Sequence, residues 1–444
     1  MEEISLGTNI KNARLQKIII FFVGLMIILG SSSTIDISMG VVAKGIPIKI
    51  TDVAFILITF YLIVFKKIKI QITNSTKILL GWTIFGVFSI LLNYYTHNYK
   101  ISDMIYGVLY PIRLFIYILI CSVFANFLKY NEYKFDHFID KYIKFYIIVC
   151  IIGGIQLLIF PIAFDYYNIL KNMGIYILNP DPHINRLIST YLDPNFLGII
   201  LCIPFMLSLS RYMVTRKNKY IFYTIIIVIT EIATSSRSGI IAIAISFVVF
   251  FISSFKVNEK KIKINKRLFL ITLFIFIIIT IIIIFYGDKI RVIDRIINFR
   301  EDGSAQARFL NWKLSFNLIS ENLIIGIGYN MLGFVTGNTE TIGGFGLDAS
   351  LLLIWVTTGN LGLLIYISYF TNLIKRILYL RNDKNIYYSS GIIGILLGSL
   401  CASFFNNLLF YPLWFIPMLI LSEFYILHYN TNKKECKNEN NYRC

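Results

Sequence analysis

Residues 268–300 read LFLITLFIFIIITIIIIFYGDKIRVIDRIINFR, a long apolar run followed by a basic segment. An α-helix rises 1.5 Å per residue, so about 20 apolar residues cross the ~30 Å of hydrocarbon in a bilayer. The whole chain has the same character, with 57% hydrophobic residues and a mean hydropathy of +0.71. This composition excludes a soluble domain with amphipathic surface helices and indicates a membrane protein.

The apolar runs recur along the 444 residues, separated by polar loops, of which 164–190 and 287–347 are the longer ones. The short alternating segments of a membrane β-barrel are absent from this pattern. We therefore predict an all-α polytopic integral membrane protein with about twelve transmembrane helices. The predicted spans are 17–35, 47–65, 78–95, 105–127, 144–163, 191–210, 220–236, 239–255, 268–286, 348–370, 386–404 and 408–428.

The formal net charge is +18, which in a soluble protein would suggest nucleic acid binding. Here the basic residues cluster after every second apolar run, and basic loops are retained in the cytoplasm during membrane insertion. The clusters predict a multi-pass protein in a lipid bilayer, with both termini cytoplasmic and no nucleic acid partner.

The loop 287–347 is then expected on the outer face, although it carries several basic residues. Outside loops generally lack arginine, so an Arg-bearing outside segment suggests a site for an anionic substrate. The basic residues of this loop include Arg291, Arg295, Arg300, Arg308 and Lys313.

The cysteine and glycine patterns indicate which kinds of chemical site are not expected in this chain. The six cysteines fall in predicted spans or in the inside tail, so no outside disulfide is expected. We find no Cys/His spacing typical of zinc and no Gly-rich phosphate loop with a Walker-type lysine. We therefore expect no metal and no cofactor, and no ATP-driven transport by this chain.

The first polar element on the outer side surrounds Asp193-Pro194-Asn195, which opens a span. Asp193 suits a helix N-cap and Pro194 the first helical position, so Asp193 and Asn195 are interpreted as structural. Arg186 precedes them in an outside loop, where arginine is unusual. One interpretation of Arg186 is therefore anion binding.

The second element, Thr234-Ser235-Ser236-Arg237-Ser238-Gly239, interrupts a long apolar stretch. Arg237 has two interpretations. Its side chain extends to lipid headgroups from a hairpin turn, or its planar guanidinium binds two oxygens of a phosphate.

The third element is a helix that carries Arg308 and Trp312, followed by Gly326-Ile327-Gly328. Arg308 and Trp312 are four residues apart and share one side of the helix. An arginine beside an aromatic ring suits a sugar next to a phosphate, and it equally suits an anchor at the membrane interface. Gly326 and Gly328 are interpreted as structural.

Taken in order, these elements resemble the O-antigen polymerase and O-antigen ligase family, of the Wzy/WaaL type. The resemblance covers roughly 186–362, and its motifs are Asp193-Pro194-Asn195-Phe196-Leu197-Gly198, Ser236-Arg237-Ser238-Gly239, Arg308 with Trp312 and Gly326-Ile327-Gly328, Gly346-Leu347-Asp348-Ala349-Ser350-Leu351, and Thr358-Gly359-Asn360-Leu361-Gly362.

The resemblance implies a membrane-embedded glycosyltransferase, similar to enzymes of the GT-C type, that takes glycan from undecaprenyl diphosphate at the outer face of the bacterial cytoplasmic membrane. It implies a metal-independent reaction, because the polyprenyl diphosphate is itself the leaving group. The charge on that group would be stabilised by Arg186, Arg237 and Arg308, with Trp312 beside the substrate. A chain-length regulator and a flippase of the same pathway are possible partners.

One departure from the ligase pattern concerns Asp348. Ligases carry His-Asn near the end of the large loop, whereas this chain has Asp348-Ala349. The departure favours an O-antigen polymerase over a ligase that transfers glycan to the lipid A core of lipopolysaccharide. Asp348 is a candidate base, and its other interpretation is a helix N-cap.

A transporter is the alternative from another class, as a flippase of the same lipid-linked oligosaccharide. Transporters tend to show internal repeats and broken helices, and neither is evident in the sequence. We expect one membrane domain over 1–444, comprising N-terminal helices (17–185), a catalytic region (186–362) that includes the outer loop 287–347, a final helix pair (386–428) and a cytoplasmic tail (429–444).

Overall fold

A computed structural model of the chain describes residues 2–37, 46–97, 99–175, 183–258, 261–263, 303–337 and 347–438. The predicted span 268–286 and parts 287–302 and 338–346 of the predicted outer loop lie outside the described residues.

The described part is built mainly of helices, and every predicted span except 268–286 overlaps one or two of them. The helices are α1 (Glu2–Leu29), α2 (Ile50–Val64), α3 (Asn74–Thr96), α4 (Ile101–Tyr130), α5 (Phe135–Ile159), α6 (Ala163–Asn172), α7 (Pro194–Ile200), α8 (Cys202–Thr215), α9 (Lys219–Thr234), α10 (Arg237–Ser253), α11 (Gly303–Glu321), α12 (Leu332–Thr336), α13 (Ser350–Tyr379), α14 (Ile386–Ala402) and α15 (Pro412–Asn438).

Seven helical segments of the described residues are long and apolar enough to cross a bilayer, and α7 with α8 forms one of them. They are Asn12–Ser33, Asn74–Thr96, Ile101–Tyr130, Phe135–Ile159, Pro194–Thr215, Ser350–Tyr379 and Pro412–Asn430. Helices α2, α10 and α14 are apolar but shorter. The 15 residues of α2 extend only about 22 Å. The prediction of a polytopic helical membrane protein is confirmed, and the count of twelve spans stays a prediction.

Two short antiparallel ribbons accompany the helices and do not change the helical fold class. Strand β1 (Thr34–Ile37) pairs with β2 (Ile46–Lys49), and β3 (Lys256–Asn258) pairs with β4 (Lys261–Lys263). The first ribbon contains alternating isoleucines, which favour extended backbone. It takes up the start of the predicted span 47–65, so the helix there begins later than predicted.

Small residues allow α10 and α14 to pack closely in an antiparallel arrangement. A Cβ atom at Gly394 would lie 2.6 Å from the Ser246 carbonyl oxygen, and one at Gly398 would meet the Ala242 carbonyl oxygen. Small residues permit such close approach of helix backbones in membranes. The packing therefore sets the start of α10 beside the end of α14.

Helix α13 is broken at Gly359, whose φ of 62° is left-handed. The segment around Gly326 fills the break, because Ile327 N donates to Val356 O at 3.0 Å and Asn360 N donates to Leu323 O at 2.8 Å. A Cβ atom at Gly326 would lie 2.6 Å from Gly359 N. The predicted structural glycine Gly326 thus lies against the Gly359 motif, and backbone groups left by the break find partners.

Two ends of the bundle can be distinguished. The starts of α7, α10 and α13 and the end of α14 form one end, which we call the site end. At the opposite end, Arg211 near the end of α8 binds Asp140 through Nε at 2.8 Å and Nη2 at 2.9 Å, and it also pairs with Asp136 at 2.9 Å. This bidentate pairing joins α8 to α5 far from the candidate residues.

Candidate active site

The loop before α7 is fixed to the α9–α10 turn by Arg186. This side chain is 6% exposed, and its Nε donates to Thr234 O at 2.9 Å while its Nη2 donates to Asn195 Oδ1 at 2.9 Å. Asp193 is the N-cap of α7 and accepts from Asn195 N at 2.6 Å. Arg186 therefore holds three segments of the site end together.

A buried carboxyl group lies behind this turn. Glu231 is 3% exposed, and its carboxyl lies against Gly198 and Gly239, where any side chain would collide with it. Arg186 attracts Glu231 electrostatically. The absence of side chains at Gly198 and Gly239 makes room for the carboxyl and lets α7 approach α10.

Arg237 is the first residue of α10 and is half-buried. The turn before it is ordered by Ser236, whose Oγ accepts from Gly239 N at 3.1 Å. The next residue, Ser238, accepts through its Oγ from Asn406 Nδ2 at 2.7 Å. The position of Arg237 is thus set from two sides, by the cap of its own helix and by the α14–α15 turn.

The same α14–α15 turn also binds the start of α13. Ser350 N donates to Ser403 O at 2.7 Å, and Ser350 Oγ donates to Asn406 O at 3.1 Å. Because Asn406 bonds both Ser238 and Ser350, residues Arg237 and Asp348 are held at the same end of the bundle.

Asp348 lies beside Arg308. Arg308 Nε and Asp348 Oδ2 are 3.8 Å apart, and the Asp348 side chain is 61% exposed. This distance allows an ion pair but is too long for a hydrogen bond. Arg308 Nε has no hydrogen-bond partner among the described residues. Both groups therefore keep capacity for a ligand.

Three neighbouring influences act on the pKa of Asp348. Partial burial raises the pKa of Asp348 above its usual value, Arg308 opposes the rise, and the negative charge of Asp193 adds to it. A raised pKa is typical of carboxyl groups that exchange protons in active sites. The other predicted role, as helix N-cap, is wrong, because Ala349 is the N-cap of α13.

Trp312 lies one turn after Arg308 in α11 and is partly buried. Its ring packs at 6.3 Å from that of Phe405 in the α14–α15 turn. Its indole nitrogen has no hydrogen-bond partner among the described residues. Trp312 therefore lies at the site end, whereas the predicted structural residues Gly326 and Gly328 lie with the break in α13.

A buried lysine was missed in the sequence. Lys49 precedes α2 and is 5% exposed. Its ammonium lies 5.4 Å from the ring centroid of Tyr411, whose ring centroid is 4.5 Å from that of Phe196 in α7. Burial lowers the pKa of Lys49 to about 7, with Asp52 opposing and Arg113 adding to the fall. The available signal was its position inside the predicted span 47–65, because ionisable residues within membrane spans are costly and usually functional.

A comparison with known families bears on these residues. The O-antigen ligase profile matches residues 222–367. The chain carries an O-antigen ligase domain. Comparison with individual curated proteins gives no match.

The O-antigen ligase domain includes Arg237, Arg308, Trp312 and Asp348, while Arg186 lies before its first matched residue. The protein is therefore a multi-pass membrane enzyme of the O-antigen polymerase and ligase type, acting in surface polysaccharide synthesis. The family implies lipid-linked glycans as substrates. Within the part of the chain that the structure describes, no three His, Cys, Asp or Glu side chains lie together as metal ligands. The expected absence of a metal stays a prediction.

Proposed function

We propose that the protein is an O-antigen polymerase, or a polymerase of a related surface polysaccharide, that joins undecaprenyl-diphosphate-linked repeat units. The loose contact between Arg308 and Asp348 is the observation that carries this proposal. An acid at this position, next to a cation with an unused N–H, suits proton abstraction beside a diphosphate. The reaction takes place at the outer face of the cytoplasmic membrane, with both termini of the chain inside.

The proposed reaction is a glycosyl transfer. A hydroxyl of one lipid-linked repeat unit attacks the anomeric carbon of the glycan on a second carrier. A glycosidic C–O bond forms, the C–O bond to the diphosphate breaks, and undecaprenyl diphosphate leaves with the electron pair. The hydroxyl proton passes to the Asp348 carboxylate.

Three arginines have different roles in this proposal. Arg237 and Arg308 are only half-buried or loosely paired, so they stabilise the charge that develops on the diphosphate. Arg186 is engaged with Thr234 and Asn195, which supports a positioning role behind the turn that carries Arg237. Trp312 supplies an aromatic surface for a sugar ring.

The experiment that tests the proposal uses purified protein in liposomes with lipid-linked repeat units. A polymerase yields a ladder of longer glycans that remain on undecaprenyl diphosphate. The same liposomes with lipid A core as acceptor test for the ligase. Transfer to lipid A core without a ladder would replace the polymerase by the ligase, and movement of the lipid across the bilayer without any new bond would indicate a flippase.

A cellular experiment complements the purified system. A polymerase knockout leaves single repeat units on the final carrier, because ligation continues without it. A ligase knockout leaves long chains on the polyprenyl carrier. We expect the first phenotype. A chain-length regulator and a flippase of the same pathway are the candidate partners of such a polymerase.

A further inference from the structure

A polar cleft of about 480 Å³ opens at the opposite end of the bundle. It lies between the start of α3, the end of α13 and the later part of α15. Its polar lining includes Thr73, Asn74, Lys375, Arg376, Tyr379 and Asn430. The described residues of this lining include two cations and no carboxylate, so this part of the cleft is basic.

Arg376 is held in a fixed orientation inside the cleft. Its Nη2 donates to Asn430 Oδ1 at 2.7 Å, and its guanidinium lies 5.2 Å from the ring centroid of Tyr379. Lys375 beside it is exposed. Neither cation forms a salt bridge within the described part of the chain, so their charge is left for a ligand or for water.

The start of α3 adds to the positive potential. Thr73 is the N-cap of this 23-residue helix, and Asn74 is its first residue. The first N–H groups of a helix have no acceptor within the helix and carry a partial positive charge. The buried Glu423 lies behind Thr73 and Thr76, whose hydroxyls donate to it.

We propose that this cleft binds a phosphate ester anion, supplied by the headgroup of an anionic phospholipid. Two cations and a helix N-terminus converge on one cleft between transmembrane helices, at the end predicted to face the cytoplasm. Basic pockets in that position recognise anionic headgroups. Inorganic phosphate is the other source of the same chemistry. The inference does not depend on the reaction proposed for the site end.

The test is native mass spectrometry of the full-length protein in detergent with phosphatidylglycerol or phosphatidylcholine added. Wild-type protein should retain phosphatidylglycerol in preference to phosphatidylcholine. The double variant Lys375→Gln/Arg376→Gln should bind phosphatidylglycerol about thirtyfold more weakly, since each basic residue near a membrane surface contributes roughly fivefold. The matched control Lys217→Gln/Lys384→Gln removes two exposed charges at the same end and should bind as wild type.

A further variant separates binding from folding. Asn74→Asp places a negative charge at the first position of α3, where it stabilises the helix but repels an anion. It should fold at least as well as wild type by thermal unfolding and lose phosphatidylglycerol. Normal retention in both Asn74→Asp and the Lys375/Arg376 variant would overturn the site.

Titration with inorganic phosphate distinguishes the two sources. Preferential phosphatidylglycerol retention without a thermal shift in phosphate supports the lipid headgroup. A thermal shift in millimolar phosphate without lipid preference supports the anion site but overturns the lipid as its ligand. Absence of both effects in wild-type protein overturns the proposal.

Discussion

Arg308 Nε and Asp348 Oδ2 lie 3.8 Å apart, within reach of an ion pair but beyond hydrogen-bonding distance. A tight pair would occupy the carboxylate oxygens and bury the guanidinium charge. The loose pair orients Asp348 while leaving it able to accept a proton, and it leaves Arg308 able to donate to an incoming diphosphate. The activity of the site should therefore depend on the chemistry of each residue more than on their mutual contact.

The first prediction concerns Asp348→Asn, which keeps the shape of the side chain but cannot act as a carboxylate base. We expect polymerisation to fall about 10²–10⁴-fold, measured as glycan ladder formed per unit time in liposomes. Thermal unfolding should remain as in wild type, because Ala349 and not Asp348 caps α13. Full activity of Asp348→Asn would remove Asp348 from the reaction.

The pH dependence of the wild-type reaction rate tests the role of Asp348 independently of any substitution. The pKa of Asp348 is raised, so a base at this position loses its proton only above the range of an ordinary aspartate. The fall in reaction rate on the acid side should therefore occur at a higher pH than an ordinary aspartate would give. An acid limb near the usual pKa of aspartate would contradict the proposed surroundings.

The second prediction compares Arg→Lys at Arg308 and Arg237. Lysine keeps the charge but cannot present two parallel N–H groups to a diphosphate. Each Lys variant should lower the rate about 10²–10³-fold at unchanged protein level. Arg376→Lys at the opposite end is the matched control and should polymerise normally. Wild-type rates for both site variants would make these residues interfacial anchors.

The third prediction separates Arg186 from the other two arginines. Its guanidinium bonds Thr234 O and Asn195 Oδ1, and its loss leaves these acceptors without their donor. Arg186→Ala should therefore lower stability by about 1–3 kcal/mol, measured as a drop in unfolding temperature, whereas Arg308→Ala should not. If Arg186→Ala had normal stability but no activity, Arg186 would instead be a residue that binds the substrate.

The fold class and the order of the motifs were predictable because hydropathy and charge are local properties of the sequence. The lengths of the spans were not. Hydropathy measures how apolar a segment is, but not whether its backbone is helical or extended. The strand Ile46–Lys49 therefore occupies the start of a segment that hydropathy predicts as a helical span. For the same reason, hydropathy does not reveal the break in α13. Gly326 and Gly359 lie against each other at this break, although neither sequence motif indicates the other.

The sequence indicates candidate site residues one at a time, but it does not indicate how they are arranged. Asn406 joins Ser238 and Ser350 across the bundle, and no motif in the turn 403–407 marks that role. Arg113 is a similar case. Its charge at membrane depth required a partner, and the structure pairs it with Asp52 at 3.0 Å, a residue that sequence analysis did not single out.

The fourth prediction uses the pKa of Lys49, which burial lowers to about 7 against 10.5 in an unfolded chain. Between these values the unfolded chain binds one proton more than the folded protein at this residue. The contribution of Lys49 to stability should therefore rise as pH increases from about 7 to 10.5.

The measurement is the unfolding temperature of wild type and Lys49→Met across this pH range. The difference between the two proteins should change with pH, whereas exposed Lys217→Met should parallel wild type. A constant difference between wild type and Lys49→Met would show that the buried ammonium does not lose its proton on folding.

The last prediction concerns orientation. The positive-inside rule predicts that the opposite end faces the cytoplasm and that the site end faces outside. A lipid-linked donor in the outer leaflet can react only at a site on that outer side. Single cysteines at Thr336, an exposed residue after the Arg308 helix, and at Lys217 of the opposite end report the two sides. The native Cys401, Cys436 and Cys444 are first changed to serine so that they give no signal. In intact cells a membrane-impermeant maleimide should label Thr336→Cys, and it should label Lys217→Cys only after permeabilisation. The reverse pattern would invert the protein and set Arg308 and Asp348 on the cytoplasmic side, where a polymerase of outer-leaflet units could not use them.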